Sequence, residues 1–391
     1  MGKYDDAEWV ICFGFDIYAP SVQSTKHYAL GMLNDGKKVL WINPLPFRNV
    51  SLKNVSRTTF VKKLQNKFRT HSKIIKVFQK GLYVHSPLYF PAVQGEQWCK
   101  LNNKLIELQI SLLKKLLGIK RHFLWSAGSF TVLPILELEE HEFFIYQAAD
   151  LISDFRGASS EMKKRLTIME KTLCEKASYI FPASLRIQEK IQNMIDRPQK
   201  VVYMPHGVDY EHFSSEWPVA DKVAHLPKPV AGYFGSLTDA NDKNVLIELA
   251  KDSFTVVVIG KIVGDYTQCF EYKNIHFLGP VAYDVLPSYA ACFDVCLLNW
   301  RMGEWIRNCF PKKTQEYLAM GKPIVSVKIP EVMKQFGEYV YFAETPAEFV
   351  QEARRALWED TPELAEARRR RVRNETWDIR CEKVRGLLKT I

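Results

Sequence analysis

The 391-residue chain is long enough to form two domains of ordinary size, and its 47% hydrophobic and 25% charged residues exclude an intrinsically disordered chain. No apolar run approaches the ~20 residues that a membrane-spanning helix needs, and the start, MGKYDDAEW, lacks the basic and then apolar pattern of a signal peptide. The eight cysteines are scattered singly, without the paired spacing of a zinc site, so we expect free thiols in a reducing cytoplasm.

The net charge of +10 is concentrated in one segment of the first half. Between Asp35 and Glu96 the sequence has twelve lysines and arginines and no acidic residue. Apolar residues run through the middle of this segment at helical spacing: Phe60, Val61, Leu64 and Phe68. The pattern predicts a basic amphipathic helix on an anionic membrane surface. A solvated basic face is the alternative, whereas nucleic acid is disfavoured because aromatic residues and base-reading motifs are not clustered there.

Apolar runs alternate with helical patterns along the first half of the chain. The first strand is predicted at 9–15, helical residues follow to Leu33, and a turn at 34–36 leads into the second strand. Leucines and isoleucines at helical intervals predict a helix at 101–117. The other predicted strands are 39–43, 82–85, 122–126, 143–147, 178–181 and 201–204. The alternation indicates an α/β fold with a parallel sheet covered by helices on both faces.

One acidic residue follows a predicted inner strand of this sheet. Ligands of such sheets bind at the carboxyl ends of the strands, and Asp150 lies there after the strand at 143–147. Its carboxylate can act as a general base, with Asp154 one turn further on, or it can cap the following helix. The turn PHGVD at 205–209 ends the last strand of this half, and the charged, proline-containing segment up to Pro229 predicts a linker.

A second alternation of strands and helices begins at Val230. Strands are predicted at 230–234, 255–259, 275–278, 295–298, 324–327 and 340–342, with a helix at 284–291. Gly235 and Ser236 follow the first of these strands, and Gly260 and Lys261 follow the second. A glycine at a strand end lets a ligand approach the backbone closely. We therefore predict a second sheet of the same kind, separated from the first by a cleft.

The stretch 311–327, PKKTQEYLAMGKPIVSV, predicts a helix of about three turns that begins at Pro311 and leads into a strand. Gly321 suits the left-handed position after the helix. Lys313 and Glu316 are three residues apart and share one face. The free N–H groups at the helix start and the lysines can hold a phosphate, and Glu316 can accept both hydroxyls of a ribose. The alternative is an ordinary surface helix with a Lys–Glu pair.

The motifs that mark many other enzymes are missing from this sequence. It has no P-loop GKS or GKT, no HExxH, no paired CxxC and no GxGxxG, which excludes most nucleotide hydrolases, zinc enzymes and simple dehydrogenases. The remaining way for this chain to bind a nucleotide is through helix ends and isolated lysines that contact its phosphates. Because no Asp-x-Asp cluster is present to hold a metal ion, we expect no metal and no cofactor beyond a nucleotide-sugar co-substrate.

Several segments together resemble the bacterial GT-B glycosyltransferases grouped with glycosyltransferase family 4. In that family the pattern P-x-K-x-x-E-Y-L-A-x-G-K-P marks the nucleotide-sugar site, and here PKKTQEYLAMGKP begins at Pro311. The supporting segments follow in order along nearly the whole chain: YIFPAS at Tyr179, VVYMPHGVD at Val201, GYFGSL at Gly232, NIHFLGPVAYDVLPSY at Asn274 and ETWDIRCEKV at Glu375. The resemblance implies a GT-B fold, in which two Rossmann-like domains face each other across a cleft.

The resemblance also assigns roles to residues of the donor site. It implies that Lys313 meets the diphosphate and Glu316 the ribose hydroxyls. The other expected donor-site residues are Gly235, Ser236 and Lys243 beside the phosphates, Gly260 and Lys261 near the base, Pro311 at the helix start, and Asn308.

The resemblance bears on the mechanism at two further positions. The family's E-x7-E pair is incomplete, because Asn308 occupies the first glutamate position, and this places a retaining mechanism in doubt. The segment YQAADLISDF resembles the acidic segment of inverting GT-B glucuronosyltransferases, which favours Asp150 as the catalytic base.

We therefore predict a cytoplasmic glycosyltransferase, peripheral to the inner face of the membrane. It would transfer a hexosyl or glucuronosyl group from a UDP-sugar to a lipid-linked or polysaccharide acceptor. We expect an acceptor domain at 1–210, a donor domain at 211–373 and a C-terminal helix at 374–391 that crosses back to the first domain. A sugar-nucleotide epimerase and a non-catalytic sugar-binding or scaffold protein of the same fold are the alternatives.

Overall fold

The computed structural model describes residues 2–18, 24–44, 75–89, 96–138, 140–154 and 159–391. The basic amphipathic helix predicted around 60–68 lies outside these residues. None of the helices within them has both the length and the apolar character that crossing a membrane requires.

The first half of the described chain forms a seven-stranded sheet. Its strands are β1 (Trp9–Phe13), β2 (Lys38–Ile42), β3 (Lys76–Gln79), β4 (Leu82–His85), β5 (His122–Ser126), β6 (Phe144–Ala148) and β7 (Tyr179–Pro182). They lie in the order β3-β4-β2-β1-β5-β6-β7, and only the β3–β4 pair is antiparallel. Every residue of β1, β5 and β6 is buried, as expected for parallel strands covered on both faces. The predicted parallel sheet is confirmed.

Two segments at the edges of this sheet differ from the prediction. Strand β3 is mostly exposed, so its sequence has no buried apolar run to indicate it. The prediction of a sheet strand at 201–204 is wrong. This segment pairs with the sheet through one isolated bridge, between Val201 and Ile180. The segment is extended beside β7, and the Met204 N–H donates to the Pro182 carbonyl at 2.9 Å. Since Pro182 has no N–H to donate in return, the ladder does not continue.

The second half forms a six-stranded sheet in which all described neighbours are parallel. Its strands are β8 (Val230–Phe234), β9 (Thr255–Ile259), β10 (Ile275–Gly279), β11 (Val295–Leu298), β12 (Ile324–Ser326) and β13 (Val340–Phe342). Their order is β10-β9-β8-β11-β12-β13. The central strands β8, β9 and β11 are buried throughout, which explains their continuous apolar runs. The second predicted sheet is confirmed.

Helices cover both sheets. In the described residues they are α1 (Lys3–Asp6), α2 (Ser24–Asn34), α3 (Glu96–Leu117), α4 (Leu133–Leu138), α5 (Ser160–Lys176), α6 (Leu185–Gln192), α7 (Tyr210–Ser214), α8 (Asp221–Ala224), α9 (Lys243–Lys251), α10 (Leu286–Ala290), α11 (Glu304–Asn308), α12 (Lys312–Ala319), α13 (Pro330–Phe336), α14 (Pro346–Glu359), α15 (Pro362–Val372) and α16 (Trp377–Leu388). The last helix packs on α2, where the Trp377 ring stacks on His27 at a centroid distance of 4.3 Å. The domain boundaries at 210 and 373 stay a prediction.

The carboxyl ends of the two sheets meet in a cleft. After β6, the Asp150 carboxylate accepts a hydrogen bond from Trp305 Nε1 of α11 at 2.9 Å. After β7, the Leu185 N–H donates to Glu331 Oε2 of α13 at 2.8 Å. Strand-end segments of both sheets therefore line one interface, which is where α/β sheets bind ligands.

Candidate active site

Helix α12 begins at one wall of this cleft and is shorter than predicted. It has eight residues, about two turns, where the sequence indicated three. Pro311 is the N-cap with ψ 115°, so the helix starts at Lys312, one position after the predicted start, and no side chain caps it. Its first N–H groups are therefore available to an anion. At the other end Gly321 has φ +72°, and the Lys322 N–H donates to the Tyr317 carbonyl, so the predicted left-handed glycine is confirmed.

A cavity of about 530 Å³ opens beside the start of α12. It is lined by six of the predicted site residues: Gly235, Ser236, Gly260, Lys261, Lys313 and Glu316. Aromatic side chains that the sequence did not single out complete the wall: Tyr233, Tyr283, Trp300 and Trp305. The cavity combines apolar and aromatic walls with a few charged groups, as small-ligand sites commonly do.

Two glycines allow the strand ends to approach α12. Gly235 has φ +127°, and a methyl group there would lie 2.5 Å from Lys313 Cε. Gly260 has φ +151°, and a methyl group there would lie 2.1 Å from the Gly235 carbonyl oxygen. The backbone conformation favours glycine at both strand ends, and at Gly260 the neighbouring backbone also leaves no space for a side chain.

The Lys313 ammonium is held by aromatic rings instead of a carboxylate. Its Nζ lies 5.2 Å from the Tyr233 ring centroid and 5.1 Å from that of Trp300. Lys313 makes no ion pair with any described residue. The two rings hold the charge by cation–π attraction and leave it available to an anionic ligand in the cavity.

Glu316 is half-buried one turn further along α12 and accepts no hydrogen bond from the described residues. Burial raises the pKa of Glu316, while Lys312 and Lys313 act in the opposite direction. Burial likewise lowers the pKa of Lys312, which Glu316 opposes. A carboxylate with free oxygens beside two ammonium groups can bind a ligand that has both hydroxyl and phosphate groups.

Asp150 lies next to this cavity, because Trp305 both lines the cavity and donates to Asp150 Oδ1. The residue has an exposed surface towards the cleft. Protein atoms on its other sides partly desolvate the carboxyl group, and this raises the pKa of Asp150 to about 6; the Trp305 hydrogen bond opposes this rise and Asp154 adds to it. Near neutral pH the group is ionised but remains basic enough to accept a proton.

The capping role considered for Asp150 belongs to Glu170 of α5. Fully buried Glu170 accepts hydrogen bonds from the N–H groups of Ile152 and Ser153, at 3.0 and 3.2 Å, and from the Tyr146 hydroxyl at 3.0 Å. The N–H groups of the turn that follows Asp150 are thus bound by the carboxylate of Glu170. The Asp150 oxygens therefore do not cap this turn.

Pro311, the N-cap of α12, precedes the lining residue Lys312 without lining the cavity itself, and two further predicted donor-site residues lie away from the cavity wall. Asn308 is buried between the domains, where its side chain donates to Asp154 and accepts from Arg186 Nε at 3.3 Å. Lys243 begins α9, and its ammonium lies 3.2 Å from Asp265. The structure therefore does not bring these two side chains together with the residues that line the cavity.

The family described as Glycosyl transferases group 1 matches residues 228–359, the part that contains the second sheet and α12. The putative teichuronic acid biosynthesis glycosyltransferase TuaH of Bacillus subtilis is 24% identical over 269 residues, which are 64% of this chain and 68% of TuaH. Residues 228–359 therefore form a domain similar to the group 1 glycosyltransferases, a family that uses nucleotide sugars.

Solved structures resemble this chain along nearly its whole length. Sucrose-phosphate synthase from Thermosynechococcus elongatus superposes with a TM-score of 0.71 at 13% identity, covering 98% of each chain. Anabaena HepE in complex with UDP superposes with a TM-score of 0.63 at 14% identity, covering 97% of this chain and all of HepE. At such low identity these likenesses show the fold alone. The predicted GT-B fold is confirmed.

One aromatic residue of the site, Trp300, is predictable from its position in the sequence. It follows β11 by two residues, the same kind of strand-end position that Gly235 and Asp150 occupy. Trp305 gave no such signal, because its contact with Asp150 joins residues 155 positions apart.

Proposed function

We propose that this glycosyltransferase transfers a hexosyl or glucuronosyl group from a UDP-sugar to a lipid-linked or polysaccharide acceptor. The observation that carries the proposal is the convergence of Lys313 and Glu316 at one cavity beside two glycine strand ends. The UDP bound to the structural neighbour HepE supports UDP as the nucleotide of the donor. The name of TuaH, which refers to teichuronic acid biosynthesis, supports a glycan product.

In the proposed donor complex, the Lys313 ammonium and the uncapped start of α12 after Pro311 bind the diphosphate. Glu316 accepts hydrogen bonds from the ribose hydroxyls. Gly235 and Ser236 lie beside the phosphates, and Gly260 with Lys261 lies near the base. We assign no donor contact to Lys243, since its charge is already paired with Asp265.

For the chemical step we propose an inverting displacement with Asp150 as the general base. The acceptor hydroxyl transfers its proton to Asp150, and its oxygen forms a bond to the anomeric carbon from the face opposite UDP. The bond between that carbon and the β-phosphate oxygen breaks, and UDP leaves with the electron pair. Lys313 and the N–H groups of α12 offset the charge that develops on UDP. Trp305 occupies Asp150 Oδ1, which leaves the second oxygen to the acceptor.

The position of Asn308 supports the inverting proposal. A retaining relative has a glutamate there, near the transferred sugar. In this chain the residue is a neutral amide that is engaged by Asp154 and Arg186. It offers no carboxylate to the anomeric carbon.

We further propose that the enzyme works in the cytoplasm, at the anionic inner surface of the membrane. The net charge of +10 and the acid-free interval between Asp35 and Glu96 support attraction to anionic lipids. A lipid-linked acceptor would be presented at that surface.

One experiment separates the proposed transferase from its alternatives. Purified protein is incubated with radiolabelled UDP-sugars, with and without a membrane extract. Label that moves to lipid or polymer only when the extract is present supports the proposal. An isomerised UDP-sugar formed without extract would instead indicate an epimerase. An unchanged donor, despite UDP binding measured by calorimetry, would indicate a sugar-binding protein.

A further inference from the structure

Helix α3 has two apolar stripes, and the protein core covers only one of them. Ile106, Ile110 and Leu113 pack into the core of the first sheet and are at most 1% exposed. A second row remains at the surface with large exposed fractions: Leu101 at 45%, Leu108 at 61%, Leu112 at 47% and Leu116 at 61%. An ordinary surface helix has a polar face at this place.

The exposed leucines form one continuous strip along the helix. With 3.6 residues per turn they fall within about 80° of the helix circumference, and half-buried Leu105 lies between them. Leu88, which is 41% exposed, lies beside this strip. Its N–H donates to the Gln109 side-chain oxygen and its carbonyl accepts from the Gln109 side-chain nitrogen, both at 2.8 Å. These six leucines, 88, 101, 105, 108, 112 and 116, are here called the leucine strip.

Positive charge borders the leucine strip on its open side. Lys104 and Lys115 project next to it, are exposed, and make no ion pair with any described residue. The sequence before the helix is also basic, because no acidic residue occurs between Asp35 and Glu96. An apolar strip bordered by lysines matches the chemistry of an anionic lipid surface.

A second copy of the chain is a poorer partner for the leucine strip. The spacing of Leu101, Leu105, Leu108 and Leu112 follows the seam of a coiled coil, but the next seam position is Lys115. A symmetric pair of α3 helices would also bring Lys104 and Lys115 towards their own copies, and like charges repel. We propose that α3 is the membrane-docking element of this enzyme, with the leucine strip inserted among anionic lipids.

The direction of α3 connects docking to the active site. The helix joins β4 to β5 in a parallel part of the sheet, so it begins at the carboxyl edge, the edge that also presents Asp150. Docking along α3 therefore places the opening of the cleft beside the lipid surface. The functional value of this position rests on the proposed lipid-linked acceptor, whereas membrane binding by α3 does not.

The test is flotation of the full-length protein with vesicles of phosphatidylglycerol and phosphatidylcholine, compared with phosphatidylcholine alone. We expect binding to the anionic vesicles that weakens as salt is added. The double variant Leu108→Gln, Leu112→Gln should bind at least roughly tenfold more weakly, because two leucines are lost from the inserted face. Lys104→Gln with Lys115→Gln should weaken binding to anionic vesicles only.

The matched control replaces exposed apolar residues elsewhere, Ile168→Gln with Leu364→Gln, which are 66% and 41% exposed. This control should float like the wild type.

Equal flotation of the leucine variant and the wild type overturns the proposal. A leucine variant that melts several degrees lower overturns it too, since the strip would then be covered within the molecule. A wild-type dimer that the leucine variant abolishes would assign the strip to a second copy instead. UDP affinity by calorimetry, measured on the same proteins, tests the proposed function separately.

Discussion

Replacement of Asp150 by asparagine separates catalysis from structure at this site. Asparagine keeps the size of the side chain and can still accept the Trp305 hydrogen bond, but it cannot take a proton from the acceptor. Loss of a general base typically costs about 10²–10⁴ in rate, so turnover should fall by that factor while UDP affinity stays near the wild-type value. Single-turnover transfer and calorimetry on the same preparation measure both quantities.

The pH dependence gives a second measurement of the same role. With the pKa of Asp150 raised to about 6, kcat/KM of the wild type should rise with pH and level off above about 6. Trp305→Phe removes a hydrogen bond that lowers the pKa of Asp150, so the midpoint of the profile should move to higher pH. The Asp150→Asn variant should lack this midpoint.

The raised pKa of Asp150 also predicts how Asp150→Asn changes the stability of the protein. The folded-state pKa of Asp150 lies above its ordinary value, so its contribution to stability is present at low pH and is lost as the pH rises through about 6. The ionised group therefore disfavours the folded state at neutral pH, and Asp150→Asn should melt at or above the wild-type temperature. Loss of a helix cap would instead lower stability by ~1 kcal/mol.

Asp154→Asn is the matched control, since Asp154 is one turn away and is engaged by Asn308 and Lys190. It should keep turnover within a small factor of the wild type. An Asp150→Asn enzyme with near-normal turnover, or a product that keeps the anomeric configuration of the donor, would refute the assignment of Asp150 as the base.

Three further predictions concern the donor cavity and the turn that holds Asp150. Lys313→Ala and Glu316→Ala should each weaken UDP binding by roughly 1.5–3 kcal/mol with the fold intact, and calorimetry that finds wild-type affinity for both would place the donor elsewhere. Gly235→Ala should reduce UDP affinity more than tenfold, because the new methyl group overlaps Lys313 Cε, whereas Gly337→Ala, which meets no atom within 4 Å, should bind UDP normally. Glu170→Gln leaves one buried N–H of the turn without an acceptor, so chemical denaturation should show a loss of about 1–3 kcal/mol and turnover should fall while UDP affinity is kept; unchanged turnover would argue against a positioning role.

The sequence by itself determined the two sheets and the donor motif. Buried parallel strands need apolar residues on both faces. The strands β8, β9 and β11 can therefore be predicted from short apolar runs, without knowing which strands pair with them. Gly321 is equally local, since its left-handed φ follows from the end of a helix. The start and length of α12 were less accurate, because Pro311 is compatible with either the N-cap or the first helical position.

Only the tertiary structure decided how these pieces act on one another. Periodicity describes a residue's neighbours along one element, whereas the contact of Trp305 with Asp150 depends on how two domains pack across a cleft. The same holds for Lys313 between two aromatic rings and for Glu170 beneath the Asp150 turn. In α3 the sequence shows leucines at helical spacing on nearly half of the circumference, but which of them the core covers is set by the sheet against which the helix packs.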